Sequence, residues 1–276
     1  MKASELILNP DGSIYHLDLL PADIAHNVIF VGDPDRVQQV SQHFDKIDFK
    51  KQKREFITHT GWYKDHRITV MSTGNGTDNV DIVINELDAL VNIDFKTRQV
   101  KERLTSLNII RIGTSGSIHP DLDCDEILVS AFAVGTDNLG EYYASKKANH
   151  PLLPAWSYFS GRHSFDLKNF PTPIKEGITL TCPGFYGPQG RVLRISPAYT
   201  IPIDELHKEK WNGYSFTNLE METAGMYLLA DALGHKAISI NAILANRLTG
   251  HFSHHPGKTV DDLIVHTLAW ISQFPL

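Results

Sequence analysis

The sequence predicts an α/β protein, because short apolar runs end repeatedly in glycine turns, and two of these turns lead into helical patterns. Residues 28–31 form the first apolar run, which Gly32 ends before a helix that begins with proline. A second run ends at Gly74 and precedes a helical stripe of apolar residues over 78–91. A third run, over 107–112, also ends in glycine. Strand, glycine turn and helix in this order are typical of α/β folds.

The composition of the 276-residue chain is that of an ordinary globular protein, with 42% hydrophobic and 21% charged residues. This length suits one large domain or two small ones. The net charge of -6 does not favour nucleic acid as a partner. The two cysteines, Cys124 and Cys182, fit a reducing compartment better than a disulfide framework. Because we find neither a signal-peptide pattern nor an apolar run of membrane-spanning length, we expect a soluble cytoplasmic protein that does not bind membranes.

The first half of the chain places cationic side chains close to predicted turns and helix starts. Arg36 falls in the first turn of the first predicted helix, where it opposes the helix dipole and fits either a bound anion or a solvated surface. Residues 46–73 alternate like a strand meander, and Arg54 begins one of its strands. His16 precedes these elements, and a surface or capping role is its plainer interpretation. The polar stretch 92–105 predicts an exposed helix or an inserted loop.

Residues 107–116 are the stretch around which the rest of the chain is organised. Arg111 lies inside their apolar run, where a charge is costly unless it meets a partner. The following Gly113-Thr114-Ser115-Gly116 predicts a turn whose N–H groups and hydroxyls can hold an anion, with Arg111 behind it. The alternative is a tight strand-to-turn connection with a salt-bridged arginine.

A glycine- and proline-rich loop over residues 183–191 carries side chains that fit a planar ring. Phe185 and Tyr186 can stack on such a ring, and Gln189 and Arg191 can hydrogen-bond its edge. The alternative is a surface turn with one aromatic side chain packed inward. The sequence therefore leaves a site for a heterocycle open at this point.

Two glutamates, Glu220 and Glu222, stand at the amino end of a later helical pattern. Acidic residues in this position most often interact with the helix dipole. A carboxylate at the same place can also accept two hydrogen bonds from a sugar diol. Both interpretations remain open from the residues alone.

The remaining segments complete the predicted order of elements. Strands are predicted over residues 126–134, 177–182 and 237–244, and a last helix buries a stripe between 260 and 271. Residues 137–177 lack periodicity and predict a long irregular excursion of the kind that often covers a site. The late loop with His251, His254 and His255 makes a metal site conceivable, but no cysteine or acidic ligand is near in sequence, so we predict none.

Six short motifs in this order resemble the nucleoside phosphorylase superfamily, most closely its uridine phosphorylase branch. They are GDPDR at 32–36, REF at 54–56, RIGTSG at 111–116, FYGPQGR at 185–191, EMET at 220–223 and NR at 246–247. The resemblance implies a single α/β domain over residues 1–276, with a mixed central sheet flanked by helices. It treats 92–105 and 137–177 as insertions or excursions. It also implies phosphorolysis, in which nucleoside and phosphate give free base and ribose 1-phosphate.

The resemblance assigns roles residue by residue. Phosphate would be held by Gly32, Arg36, Arg111 and Thr114, with Arg54 reaching it from a neighbouring subunit. The nucleoside would be held by Phe185, Gln189, Arg191, Met221 and Glu222, with His16 contributed by the neighbour. Arg111, Gln189, Arg191 and Glu222 would carry catalysis by positioning and electrostatics, without an organic cofactor or a covalent intermediate. Complete sites would require a homo-oligomer, at least a dimer and either a dimer or a hexamer.

The resemblance also bears on the base and on bound ions. Purine-specific relatives place an aspartate after the penultimate strand, whereas this chain has Ala245-Asn246-Arg247-Leu248 there. The missing aspartate favours a pyrimidine nucleoside as substrate, with uridine as the best single candidate. A monovalent cation near Glu55 is possible. The alternatives are a purine or broad-specificity phosphorylase and a non-catalytic nucleoside-binding protein. Hydrolytic relatives lack the phosphate-binding arginines that this chain has.

Overall fold

Most strands of the protein belong to one mixed sheet, which helices cover on both faces. The computed structural model describes residues 1–275. Its strands are β1 (Asn27–Val31), β2 (Lys46–Lys53), β3 (Phe56–Tyr63), β4 (His66–Ser72), β5 (Ile93–Asp94), β6 (Gln99–Val100), β7 (Asn108–Ser117), β8 (Ile127–Gly135), β9 (Lys146–Lys147), β10 (Tyr158–Gly161), β11 (Lys175–Thr181), β12 (Lys210–Trp211), β13 (Tyr214–Glu220), β14 (Lys236–Asn246) and β15 (His251–Phe252). Its α-helices are α1 (Pro34–Ser41), α2 (Thr77–Asn92), α3 (Ile203–Leu206), α4 (Thr223–Leu233) and α5 (Pro256–Ile271).

Five long strands close into a barrel-like ring at the centre of the sheet. β14 pairs with β7 in parallel and with β8 in antiparallel orientation. β11 pairs in parallel with both β8 and β13, and β13 returns to β7 in antiparallel orientation at Asn218 and Leu219. The ring therefore runs β7, β14, β8, β11 and β13. The mixed α/β sheet flanked by helices is confirmed as the fold class.

The first part of the chain extends this ring on one side. β1 pairs in parallel with β7 and with β4, and β2, β3 and β4 form the predicted antiparallel meander. Lys64 and Asp65 adopt positive φ angles at its second turn. Arg54, with a φ of 55°, lies in the turn between β2 and β3 rather than inside a strand.

Alternation along β1 explains how the two helical layers are held. Val28 and Phe30 pack into the apolar cluster that contains α2 and α4. Ile29 and Val31 point to the opposite cluster, which contains α1 and α5. Because successive strand residues point to opposite faces, a strand buried on both faces is apolar throughout. Within residues 1–275, no helix is both long and apolar enough to cross a membrane.

The predicted turn at 113–116 is wrong, because β7 continues through these residues to Ser117. Both neighbours hold them: β14 pairs with residues 113–117 and β13 pairs with 116–117. Gly113 serves a different purpose from a turn, because an added Cβ would lie 1.9 Å from Nη1 of Arg111 and 2.5 Å from Oδ1 of Asn241. The glycine makes room for the arginine that folds back over the strand.

The two segments predicted as insertions or excursions differ in structure. Residues 92–105 contain an exposed hairpin of β5 and β6, which forms a sheet of its own. Residues 137–177 are mostly irregular, but β10 pairs with β8 and extends the main sheet. Burial holds this segment in place: Tyr158 is fully buried, and its ring occupies the space left by Gly135 and Gly140.

Candidate functional site

A cleft of about 500 Å³ opens near the ends of β1, β7 and β13. Because β1 and β7 are parallel, their carboxyl ends lie at the same edge of the sheet. The cleft contains every predicted site residue except His16 and Arg54. The residues that line it are Gly32, Asp33, Arg36, Asn75, Arg111, Thr114, Ser115, Gly116, Phe185, Gln189, Arg191, Leu219, Glu220, Met221, Glu222, Leu244, Ala245 and Phe252.

Arg36 brings to one end of the cleft a positive charge that no salt bridge within residues 1–275 neutralises. Asp33 caps α1 by accepting a hydrogen bond of 3.0 Å from the backbone N–H of Asp35, and Arg36 follows in the first turn. Nη1 of Arg36 makes only a long contact of 3.5 Å with the carbonyl of Ile112, and its Nε is buried without a partner. Burial lowers the pKa of this guanidinium. A cation held out of water beside helical N–H groups is an environment that favours an anion.

Arg111 lies deeper, and protein groups hold both of its Nη atoms. Its side chain is buried, and Nη2 donates to Oε2 of Glu222 over 2.5 Å, with Oε2 of Glu220 at 3.3 Å. Nη1 donates to Oδ1 of Asn241 over 2.8 Å. Burial alone would lower the pKa of Arg111, but the two glutamates outweigh burial and raise it. Arg111 therefore forms the salt bridge that one of the two sequence interpretations expects. Arg111 and both glutamates of this salt bridge also line the cleft.

The two glutamates hold different positions. Oε2 of Glu220 accepts hydrogen bonds from the N–H groups of Glu222 and Thr223 and from the Thr223 hydroxyl. Glu220 therefore serves the start of α4, as the helix-dipole interpretation expects. Glu222 uses Oε2 for Arg111 and Oε1 for the N–H of Gly76, at 2.7 Å. Burial, reinforced by the charge of Glu220, raises the pKa of Glu222.

The other end of the cleft combines an aromatic ring with guanidinium and amide groups. The guanidinium of Arg191 lies 3.7 Å from the centre of the Phe185 ring, and its Nη1 donates to the carbonyl of Phe185 and to Oε1 of Gln189. Gln189 is buried, whereas half of the Phe185 surface is exposed. These contacts preorganise one polar edge beside one aromatic face, as a planar heterocycle requires.

Sequence reasoning did not include Arg247 among the candidate site residues, but the structure places it against the 183–191 loop. Its Nη1 donates to the backbone carbonyl of Gln189 over 3.0 Å, so it supports the same loop from β14. Burial lowers the pKa of both Arg247 and Arg191, and for Arg191 the charge of Arg247 acts in the same direction. The NR motif contained the signal, but only the fold shows that Arg247 approaches the 183–191 loop.

Several apolar contributors to the cleft also carried no local signal. Leu219, Leu244 and Ala245 come from the ends of β13 and β14, and Phe252 comes from the short strand β15. Phe252 is 73% exposed although it lines the cleft. Its position follows from the pairing of β15 with β14, which brings Phe252 opposite Ala245.

His16 and Arg54 lie together on a surface outside the cleft of their own subunit. The ring of Tyr15 stands edge-on to His16 at 4.8 Å, and the guanidinium of Arg54 lies 5.9 Å from the same ring. Arg54 is exposed. The two residues that the resemblance assigns to a neighbouring subunit thus form one surface patch.

Two kinds of ion site were considered, a metal site of His, Cys, Asp or Glu side chains and a monovalent cation site near Glu55. Within residues 1–275, no three His, Cys, Asp or Glu side chains are grouped so that they could hold a metal ion. Glu55 and Asn79 both flank Gly74, where an added Cβ would lie 3.2 Å from Cγ of Glu55 and 2.5 Å from Nδ2 of Asn79. The monovalent cation near Glu55 stays a prediction.

Comparisons with known proteins agree on one family and divide on the base. Residues 27–265 match the model of the phosphorylase superfamily. The uridine phosphorylase of Thermococcus kodakarensis is 30% identical over 249 residues, which cover 88% of this chain and 80% of that protein. A DeoD-type purine nucleoside phosphorylase of Listeria monocytogenes is 26% identical over 256 residues, which cover 92% of this chain and 97% of the relative.

A solved structure supports the same relationship. The nucleoside phosphorylase of Trypanosoma brucei, described as showing uridine phosphorylase activity, superposes with a TM-score of 0.82 at 28% sequence identity. The superposition covers 96% of this chain and 99% of that one.

Proposed function

Because the chain belongs to the phosphorylase superfamily, we propose that it cleaves a pyrimidine nucleoside, uridine foremost, by phosphorolysis to the free base and ribose 1-phosphate. The observation that carries this proposal is the division of one cleft into a cationic end and a ring-binding end. The unpartnered Arg36 marks the first end and the Phe185–Arg191 stack marks the second. Glu222 lines the same cleft, bonded to Arg111. A hydrolase or a simple binding protein has no need of the anion end.

At the cationic end, phosphate is proposed to bind to Arg36, Arg111, Thr114 and the start of α1. Among the described residues, Arg36 makes one long hydrogen bond, through Nη1, and phosphate would supply the strong acceptor that this guanidinium lacks. Glu222 is proposed to accept hydrogen bonds from the ribose hydroxyls. Since Arg111 contacts Glu222, one guanidinium would link the nucleophile to the sugar. The phosphate dianion would stabilise the cation-like sugar and then attack it from the face opposite the base.

At the ring-binding end, Gln189 and Arg191 are proposed to read the carbonyl and imide edge of uracil. The base leaves with negative charge, which Arg191 and the nearby Arg247 would stabilise. No carboxylate contributes to the pKa shift of Arg191 or of Arg247, so neither positive charge is offset by a neighbouring acid. An acid that could protonate a purine ring is also missing from residues 245–248. Both features favour a base that departs as an anion.

A purine or broad-specificity phosphorylase is the second candidate. The Listeria relative, a purine nucleoside phosphorylase, matches almost all of this chain. Replacing both Gln189 and Arg191 by alanine tests the base assignment. We expect kcat/KM for uridine to fall by about a hundredfold or more, with a much smaller loss for any purine nucleoside that is cleaved. Equal losses for both bases would contradict it. Arg194→Ala, at an exposed position three residues beyond this loop, is the matched control.

We propose a homo-oligomer with shared sites, in which the patch of His16 and Arg54 completes a neighbour's cleft. Mixing inactive Arg36→Ala and Arg54→Ala subunits tests this arrangement. In a dimer with shared sites, half of the mixed molecules are heterodimers and each has one intact site, so about a quarter of the wild-type activity returns. No recovery after subunit exchange would mean that Arg54 acts in its own subunit or not at all.

The remaining proposals concern location and cofactors. Cys124 and Cys182 are both free thiols, which supports a cytoplasmic location for an enzyme of pyrimidine salvage. Phosphate is proposed as the co-substrate, with no organic cofactor. A monovalent cation near Glu55 would show as a dependence of activity on potassium or sodium that Glu55→Gln removes.

A further inference from the structure

Glu86 receives more hydrogen bonds from one short segment than its place in a helix requires. It lies in α2, and its carboxylate accepts the backbone N–H groups of His16 and Leu17. Oε1 also lies 2.7 Å from Nδ1 of the His16 ring. The Glu86 side chain is 14% exposed and that of His16 is 26% exposed. Glu86 thus clamps both the backbone and the ring of a residue that is 70 positions away in sequence.

The clamp determines which nitrogen of His16 carries the proton. An ionised carboxylate only accepts hydrogen bonds, so Nδ1 must be the N–H donor. In the neutral imidazole, Nε2 then carries a lone pair and can accept a hydrogen bond from a hydroxyl group. Within residues 1–275, His16 has no hydrogen-bond partner at Nε2. Nε2 is therefore presented to the surroundings as a fixed acceptor.

We propose that Glu86 is a positioning residue that holds His16 in the Nδ1–H tautomer, so that Nε2 accepts a ribose hydroxyl of the nucleoside in a neighbouring subunit. The proposal rests on the proposed function, because His16 is not among the residues that line the cleft of its own subunit. It adds Glu86 of α2 to the proposed site, and Glu86 lies outside the six sequence motifs. Tyr15 packs edge-on against the His16 ring and connects it to the surface of Arg54.

The backbone donors make the effect of Glu86→Gln predictable. The N–H of Leu17 donates only to Oε2, at 2.9 Å, whereas the N–H of His16 is shared between Oε1 at 3.0 Å and Oε2 at 3.1 Å, and neither group can become an acceptor. Only an oxygen in the Oε2 position can accept from both N–H groups. The amide oxygen of glutamine must therefore take the Oε2 position, and its NH2 group then faces Nδ1. A donor at that point forces Nδ1 to accept, and the proton moves to Nε2. The substitution inverts the tautomer while keeping the side-chain volume.

Nitrogen NMR of the full-length protein with labelled histidine tests the tautomer without any substrate. The chain has 14 histidines, and a His16→Gln variant identifies the relevant signal. We expect the Nδ1–H pattern in the wild type and the Nε2–H pattern in Glu86→Gln. An Nε2–H pattern in the wild type, or an unchanged pattern in the variant, would overturn the proposal. Glu102→Gln, an exposed glutamate, should leave the His16 signal unchanged.

Kinetics in two backgrounds separate positioning from a merely structural role. We expect Glu86→Gln to lower kcat/KM for uridine about tenfold, which is the effect of losing one hydrogen bond to substrate. In a His16→Ala background, the same substitution should cause no further loss of kcat/KM. A further loss in that background would show that Glu86 acts through the backbone of residues 16–17, and would overturn the positioning role. If wild-type protein cleaves no nucleoside, the proposed function fails, while the NMR result still decides the tautomer.

Discussion

Replacing Arg111 and Arg36 separately should divide phosphate binding from stability, because the two arginines differ in their partners. Arg111 is buried between Glu220 and Glu222, and its removal would leave two buried carboxylates without a counter-ion. Breaking a buried ion pair from one side costs about 3–5 kcal/mol. For a chain of this size, Arg111→Ala should therefore lower Tm by roughly 10 °C.

Arg36→Ala should behave differently. The Nε of Arg36 is buried without a partner, and its one protein hydrogen bond is 3.5 Å long. Removing a desolvated cation with so few partners should change the free energy of unfolding by less than about 1 kcal/mol. Both variants should lose phosphate binding and phosphorolysis. Arg36→Ala is therefore the variant that tests the phosphate site in an intact fold.

Urea unfolding in phosphate-free buffer measures both stabilities, and titration calorimetry measures phosphate binding. The Arg111→Ala/Glu222→Gln double variant should recover part of the lost stability, because one of the two stranded charges is gone. Wild-type stability in Arg111→Ala would refute the buried ion-pair reasoning. An equal loss of stability in Arg36→Ala would refute the claim that this cation is held for a ligand.

Four further predictions concern single residues. Gly113→Ala should unfold more readily and lose activity, because its Cβ would lie 1.9 Å from Nη1 of Arg111; Tm and kcat report both effects. Glu222 must be ionised to accept ribose hydroxyls, and its raised pKa places the acid limb of kcat/KM above the usual range of a glutamate, as a pH profile would show. The same raised pKa stabilises the folded state at acidic pH, and that contribution is lost as pH rises through it, so the stability of Glu222→Gln relative to wild type should increase with pH in urea titrations. Arg247→Ala should lower kcat/KM for uridine about tenfold without weakening phosphate binding, because Arg247 supports Gln189 from the base end.

Local sequence signals were sufficient where strand, turn and helix are neighbours in the chain. Short-range patterns predict α1 after Gly32 and α2 after the turn that begins at Gly74. Arg36 at the start of α1 and Asn75 in the turn before α2 line the cleft. The meander over 46–73 was also confirmed, because alternation and turn residues specify hairpins locally. At the cationic end of the cleft these elements supply Arg36, whereas Arg111 and Thr114 come from β7.

Features that depend on distant pairing could not be predicted in the same way. Gly113–Gly116 looked like a turn, but pairing with β13 and β14, each more than 90 residues away in sequence, keeps it in β7. Phe252 enters the cleft only because β15 folds back on β14. The roles assigned to His16 and Arg54 depend on a second subunit. A single sequence holds the residues for such contacts but not the partner that brings them to the site.

Release of free base from uridine, thymidine, inosine and adenosine, each with and without phosphate, tests the central claim most directly. We predict phosphate-dependent release of uracil from uridine, with the purine nucleosides inert and no release without phosphate. Phosphate-dependent release from inosine or adenosine would contradict the base assignment. Release that is independent of phosphate, or no release from any of the four, would contradict the claim that this cleft performs phosphorolysis.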